Sequence, residues 1–376
     1  MRVLLIEDNE DDVLIIRTEL EDRADQDIEL EDCDCLAAGL ERLDNNHIDA
    51  VLLDLGLPDS SGLDTLEQTL AKRDDLPIVV LTGHDDESLG RSAVQRGAQD
   101  YLVKGKVDGD SLGRSIRYSI ERVRRLRAER NVMRQEADLR IARQIQFDLL
   151  PHEAPRIEGF DIAGRTVPAE SVGGDYYDFI PLNDGNTGIV VGDVTGHGIG
   201  PAIIMATKRA CLHTLARQTN CPGSLFTEAN SVLTGSMANN RFITALLVKV
   251  DVGQKTFNYV NAGHPHGVLF DAAGQVRTLL DDSDFPIGID EEIQYRSSDP
   301  VSMASGDVLL LFTDGVNEAM NSNHEQFGFD RAFQVVRDCH DEPAERIIAQ
   351  LFERILQHMD NQPAMDDITA VVVKVC

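Results

Sequence analysis

Several short apolar runs in the N-terminal part of this chain end in residues that can handle phosphate. Val3-Leu4-Leu5-Ile6 runs into Glu7-Asp8, Ala50-Val51-Leu52-Leu53 into Asp54, Ile78-Val79-Val80-Leu81 into Thr82, and Tyr101-Leu102-Val103 into Lys104. Runs of this length and composition predict β-strands, which puts each polar group at the C-terminal edge of a strand. Ligands bind at that edge in open parallel α/β sheets. Three acids, a hydroxyl and an amine gathered there describe a site for Mg2+ and a phosphoryl group. The hard cation takes oxygen ligands, and an aspartate nucleophile forms an acyl phosphate.

A second set of acids follows in the strand-rich remainder of the chain. It comprises Val172-Gly173-Gly174-Asp175-Tyr176-Tyr177-Asp178-Phe179, Ile189-Val190-Val191-Gly192-Asp193-Val194, Leu309-Leu310-Leu311-Phe312-Thr313-Asp314-Gly315 and Met365-Asp366-Asp367-Ile368-Thr369. Each aspartate stands where an apolar strand meets a turn, mostly one containing glycine, which lets the backbone come close enough for carbonyls to join carboxylates as ligands. Carboxylates drawn together from distant strands oppose one another's ionisation, and metal ions relieve that repulsion. An all-oxygen donor set favours Mg2+ or Mn2+ over zinc. Two such ions can hold phosphoryl oxygens and a nucleophilic water for in-line attack.

The elements that position these groups divide by composition. At 376 residues the chain is expected to form two domains. Between residues 110 and 150 the only glycine is Gly113, proline is missing, and Arg114, Arg117, Arg122, Arg124, Arg125, Arg127 and Arg130 crowd the first half. Apolar residues recur there at Ile116, Ile120, Val123 and Leu126, then at Met133, Ala137, Ile141, Ile145 and Leu149. Steps of three and four predict one face of a helix, stopped by Pro151. The stripe suits a two-helix coiled coil in a homodimer or packing on its own chain, and the arginines read as a solvated face. The expected organisation is a domain over residues 1–120, a helical linker over 110–150 and a second domain over 151–376.

The formal net charge of −30 argues against nucleic acid as a partner and suits metal cations and basic proteins. No stretch approaches the roughly 20 apolar residues needed to cross a membrane. The start, Met1-Arg2-Val3-Leu4, runs straight into a strand and not into a signal peptide, so a cytoplasmic location is expected. The six cysteines lack Cys-x-x-Cys pairs and read as reduced structural thiols.

The first constellation resembles the response-regulator receiver domain, a five-stranded doubly wound parallel sheet of the flavodoxin-like class. The resemblance implies that Asp54 accepts a phosphoryl group from a histidine kinase. It implies that Glu7, Asp8 and Asp54, with the Gly56 carbonyl, hold Mg2+, that Thr82 and Lys104 contact the phosphoryl oxygens, and that Tyr101 is the switch aromatic. The family usually has proline after the lysine, where Gly105 stands here, which leaves the geometry of that loop open.

The order of the second set is similar to the PPM family of metal-dependent serine/threonine phosphatases, in particular its bacterial RsbU/SpoIIE-like group. Ile141-Ala142-Arg143-Gln144-Ile145-Gln146-Phe147-Asp148-Leu149-Leu150-Pro151, Phe242-Ile243-Thr244-Ala245-Leu246-Leu247 and Asn261-Ala262-Gly263-His264-Pro265 add to the likeness. It implies an α/β/β/α sandwich with two antiparallel sheets and two Mn2+ or Mg2+ ions. Asp193 would bridge the ions with the Val194 carbonyl completing one shell, Asp314 and Asp366 would bind the other ion, and Asp175 would lie beside them. Asp178 and Asp367 would be outer-shell or third-metal ligands. The substrate it implies is a phosphoserine or phosphothreonine protein, an anti-sigma-factor antagonist with a STAS domain. His197 reads as a proton donor or as a turn histidine bonding backbone, and His264 and His266 as structural. Two other readings exist. One is a phosphorylation-gated binding or scaffold protein with an inactive phosphatase fold, although the core aspartates are all present. The other is a diguanylate cyclase built on Gly173-Gly174-Asp175, but Tyr176-Tyr177 replaces that family's Glu-Phe, and Asp193, Asp314 and Asp366 would go unexplained.

Overall fold

The N-terminal apolar runs form strands buried on both faces, as their unbroken Val/Leu/Ile composition predicts. The computed structural model describes residues 1–21, 28–45, 47–83, 86–235, 241–360 and 362–376 and divides the chain into two units, Met1–Gln135 and Glu136–Cys376. The first unit holds β1 (Arg2–Ile6), α1 (Glu10–Glu21), β2 (Glu29–Cys33), α2 (Leu36–Asn45) and β3 (Ala50–Asp54). A short hairpin follows, β4 (Gly56–Leu57) with β5 (Ser60–Ser61), then α3 (Leu63–Lys72), β6 (Ile78–Thr82), α4 (Glu87–Gln95), β7 (Asp100–Val103) and the start of α5 (Gly109–Leu149). The main sheet runs β2-β1-β3-β6-β7 with every neighbouring pair parallel. Leu4, Ile6, Val51, Leu53, Ile78 and Val80 form a core on one face; Val3, Leu5, Leu52, Val79 and Leu81 meet Leu112, Ile116 and Ile120 of α5 on the other. Alternate residues of each strand therefore serve opposite layers. Pairings Ile6↔Leu53, Asp54↔Leu81 and Thr82↔Val103 bring the four strand ends to one edge.

The second unit contains the rest of α5, then β8 (Phe160–Val167), β9 (Tyr176–Pro181), β10 (Thr187–Val194), α6 (Ile199–Leu215), α7 (Pro222–Thr234), β11 (Ile243–Asp251) and β12 (Thr256–Ala262). It continues with β13 (Gly267–Phe270), β14 (Val276–Leu280), β15 (Val301–Ser302), β16 (Val308–Phe312), α8 (Asp314–Glu318), α9 (Gly328–Cys339), α10 (Ala344–Met359) and β17 (Ile368–Val375). Two antiparallel sheets, β15-β12-β11-β10-β9 and β14-β13-β16-β17-β8, pack face to face. Ile189, Val191, Leu246 and Val248 meet Leu309, Leu311, Val371 and Val373 between them. The alternate residues Val190 and Leu247 face α6 and α7, and Leu310, Phe312 and Val372 face α9 and α10. The result is the α/β/β/α sandwich expected from the sequence.

The linker pattern is one continuous helix from Gly109 to Leu149. Its apolar positions are buried as far as Ile120, whereas Leu126, Met133, Ile141 and Ile145 are exposed. Part of its arginine face is paired, with Arg125 Nε 2.9 Å from Glu129 Oε1, Arg124 reaching Asp49 at 3.5 Å and Arg127 bound to Asp75. All six cysteines are free thiols. Among the described residues no helix is long and apolar enough to cross a membrane.

Candidate functional site

At the parallel sheet's edge, carboxylate oxygens of Glu7, Asp8 and Asp54 lie within 4.8 Å of one another. Lys104 Nζ lies 2.6 Å from Glu7 Oε2, 2.9 Å from Asp54 Oδ2 and 3.1 Å from Asp12 Oδ2. Burial works against the Lys104 charge, yet its bonds to Glu7 and Asp54 outweigh burial and hold the ammonium above the ordinary lysine range. Burial also raises the Glu7 carboxyl; the Lys104 bond pulls it back and the Asp54 charge adds to the rise. The Gly56 amide donates to Asp54 Oδ1 at 3.2 Å. An all-oxygen pocket of three acids fits a hard divalent cation.

Thr82 and Tyr101 are engaged differently from Asp54. Thr82 is buried and its hydroxyl donates to the Leu102 carbonyl at 3.4 Å. The Tyr101 ring packs against α4, where a Cβ on Gly90 would meet Tyr101 Cδ2 at 2.4 Å. Gly105 answers the question its sequence position raised: its φ of 78° is closed to proline, whose ring fixes φ near −65°. The loop after Lys104 therefore follows a path that the usual proline could not take.

In the second unit the aspartates converge at one end of the two sheets, where β9 and β17 begin and β10 and β16 end. Asp175 is buried; its Oδ2 accepts the Thr313 hydroxyl at 2.8 Å, and Thr313 Oγ1 in turn accepts the Thr369 amide at 3.1 Å. Asp367 is buried too, with Oδ1 taking the Ala169 amide at 2.8 Å and Oδ2 the Asp175 amide at 3.2 Å. A Cβ on Gly173 would stand 1.9 Å from Asp367 Oδ2, and one on Gly174 would stand 2.5 Å from the Val194 carbonyl. The two glycines thus let this loop press against the acids and the carbonyl at once.

The electrostatics of this cluster call for a cation. Burial first, then Asp314, Asp366 and Asp367, push the Asp193 carboxyl up to about 7. Asp175 is raised well above the ordinary range by burial and by Asp193 and Asp367. Burial with Glu318 raises Asp314, and burial with Asp314 and Asp367 raises Asp366. Oxygen donors whose ionisation is opposed by one another fit divalent ions such as Mg2+ or Mn2+. Asp178 engages different partners: Tyr176 Oη donates to it at 2.7 Å, His213 Nε2 lies at 2.6 Å and Arg209 Nε at 3.1 Å. His197 is exposed, its Nδ1 2.9 Å from Glu170 Oε1. His264 is buried with Nδ1 2.8 Å from Thr244 Oγ1, and its backbone is bonded on both sides by Asn261.

Sequence reasoning passed over four participants. Asp12 joins Lys104 from the first turn of α1, and Thr313 orients Asp175. Gln146 of α5 bonds both backbone groups of Gly173, Nε2 to the carbonyl at 2.6 Å and Oε1 to the amide at 3.0 Å. Lys208 of α6 is wholly buried near Asp193 and Asp175, and burial lowers its ammonium to about 7. Of these, Gln146 and Thr313 lay in motifs already singled out. Beside the acids a cavity of 470 Å³ is lined by Arg140, Arg143, Phe147, Val167, Asp175 and Asp367.

Comparisons with known proteins give each unit a counterpart. The response regulator receiver domain matches residues 3–116, and stage II sporulation protein E matches residues 183–376. Phosphoserine phosphatase RsbU of Bacillus subtilis (strain 168) is 26% identical over 242 residues, covering 64% of this chain and 70% of RsbU. Phosphoserine phosphatase RsbP of the same organism is 28% identical over 229 residues, and the match covers 60% of this chain but only 53% of RsbP. Among solved structures, the SiaA-PP2C domain of Pseudomonas aeruginosa shares the fold with a TM-score of 0.57 and 24% identity, over 65% of this chain and 99% of that one. The RsbU and RsbW domains of Rv1364c from Mycobacterium tuberculosis give a TM-score of 0.51 at 23% identity, over 59% of this chain and 61% of that one. Because the second match takes in just over half of its length, the chain belongs to the stage II sporulation protein E (SpoIIE) family, with a response regulator receiver domain in front of a PPM-type phosphatase domain.

Proposed function

We propose that this protein is a two-component response regulator whose output is a metal-dependent protein serine/threonine phosphatase. The observation that carries the reading is the convergence of Asp175, Asp193, Asp314 and Asp366, whose carboxyls are all raised by burial and three of them by one another. Asp193, the Val194 carbonyl and Asp175 would hold one Mn2+ or Mg2+, with Asp193 shared and Asp314 and Asp366 holding a second. Bound there, the two ions supply activation of a water and offset the charge of the phosphoryl oxygens. Asp367 fixes the Ala169 and Asp175 amides, and Thr313 fixes the Asp175 carboxylate, so both act by orienting a ligand. The substrate class is a phosphoserine or phosphothreonine protein, an anti-sigma-factor antagonist of the STAS type, supported by relatives named phosphoserine phosphatase.

In the receiver, Asp54 takes the phosphoryl group from a histidine kinase, with Mg2+ held by Glu7, Asp8, Asp54 and the Gly56 carbonyl. Lys104, already 2.9 Å from Asp54 Oδ2, neutralises the incoming phosphoryl oxygens, and Thr82 and Tyr101 shift with it. Phosphorylation biases a two-state receiver, and α5, continuous with no Gly/Ser linker, carries the bias. Its exposed Leu126, Met133, Ile141 and Ile145 are the homodimer seam.

The test is Mn2+-dependent phosphate release from a phosphoserine STAS protein, with and without beryllofluoride bound at Asp54. Wild type is expected to turn over at a rate that beryllofluoride changes, and Asp193→Ala to lose at least about 10³-fold. Equal rates for wild type and Asp193→Ala would remove the enzyme reading. A rate indifferent to bound beryllofluoride would remove control by Asp54.

A further inference from the structure

Lys208 lies outside the roles assigned above. None of its surface is exposed, and among the described residues its Nζ has no hydrogen-bond partner. It stands 5.0 Å from the centroid of the Tyr176 ring, the residue after Asp175. Gly192, the residue before Asp193, is also beside it, where a Cβ would come within 2.2 Å of Nζ. Space for the ammonium is thus made by a glycine in one ligand strand and an aromatic face in the other. A buried ammonium without a hydrogen bond is costly; an aromatic face and the charges of Asp193 and Asp175 offset part of that cost, and burial still prevails. A cation behind two carboxylates acts in two opposite senses. It relieves their mutual repulsion when no metal is bound, and it repels any divalent ion that they bind.

We infer that Lys208 is a positioning residue that holds the aspartate cluster together in the metal-free protein and weakens its grip on divalent cations. Occupancy of the site then follows the free metal concentration, and the site does not stay permanently loaded. The inference rests on reading the cluster as a metal site. A merely structural lysine would, on removal, lower stability and metal affinity together; an internal counter-charge moves them in opposite directions.

The experiment uses the full-length chain as wild type, Lys208→Met and Lys208→Gln. Each is titrated calorimetrically with Mn2+ at low ionic strength, and the heat seen with Asp193→Asn, which keeps the receiver acids, is subtracted. Melting is followed without and with saturating Mn2+. Both neutral variants are expected to bind Mn2+ about tenfold more tightly or better, to melt lower without metal, and to gain more from Mn2+ than wild type does. Equal or weaker Mn2+ binding in either folded variant overturns the inference. So does a loss of fold in both that saturating Mn2+ does not restore. Wild-type binding heat unaltered by Asp193→Asn overturns the metal-site reading itself, a separate failure.

Discussion

The receiver acids Glu7, Asp8 and Asp54 and the phosphatase acids Asp175, Asp193, Asp314 and Asp366 both bring like charges to the ends of strands, and they differ in what neutralises them. Lys104 sits among the first group, 2.6 Å from Glu7 and 2.9 Å from Asp54, and the three acids are drawn within 4.8 Å. Among the described residues no three phosphatase acids come that close, and the nearby buried cation, Lys208, makes no hydrogen bond to them. The receiver carries its own counter-ion and is gathered before any ligand arrives. In the phosphatase cluster Lys208 offsets the repulsion only in part, and Asp193 stays raised until an external cation joins it. A switch must be stable in both of its states, so it holds its charge balance internally. A hydrolytic centre of the proposed kind can leave that balance to the metals it would bind.

The largest effect expected from this difference is on pH. The Asp193 carboxyl is raised from 3.8 to about 7 in the folded metal-free domain, so between those values the folded form binds more protons than the unfolded chain. Its contribution to stability is therefore present at low pH and lost as pH rises toward 7, on the order of 4 kcal/mol. Melting of the metal-free protein should show that decline, and Mn2+ should reverse it, because the ion binds the deprotonated carboxylate. A phosphatase domain whose metal-free melting is flat across this range would erase the contrast with the receiver.

A smaller effect sharpens the steric side. Gly173→Ala places a methyl 1.9 Å from Asp367 Oδ2 and must push Asp367 off the Ala169 and Asp175 amides. A loss of about 2–3 kcal/mol in the second domain is expected, with weaker Mn2+ binding, while phosphorylation of Asp54 stays intact. Denaturant unfolding together with a phosphorylation assay separates the two outcomes. Smaller again, Lys104→Met should cost the receiver about 2 kcal/mol by leaving Glu7 without its cation. Added Mg2+ should recover part of that loss, which makes the receiver resemble the phosphatase in needing an external ion.

What could be seen in the sequence followed from local pattern. Asp54, Glu7 and Lys104 each end an apolar run, and the parallel sheet brings such ends to one edge, so their meeting was readable before any coordinates. The same holds for Asp193 at the end of β10 and Asp314 after β16. Other features gave no local sign. Asp12 reads as one of several acids opening α1, yet it reaches Lys104. Lys208 reads as an ordinary polar position within Met205-Ala206-Thr207-Lys208-Arg209, since the helical period leaves its burial undecided. Asp178 has the same strand-edge setting as its neighbours, and only the packing of α6 on β9 hands it to Arg209 and His213.

By itself the sequence determined the two-domain order, the strand and helix periods, and the residue types capable of phosphate and metal chemistry, because propensity and amphipathic spacing act within a few residues. Tertiary structure alone decided which acid faces which partner. It set Thr82 toward the Leu102 carbonyl, Tyr101 against α4, Gln146 onto Gly173 and Lys208 into the space above Gly192. Those choices depend on burial and on charges contributed by segments far apart in the chain. A pKa near 7 for Asp193 is likewise a property of three distant aspartates and the packing around them, not of any motif.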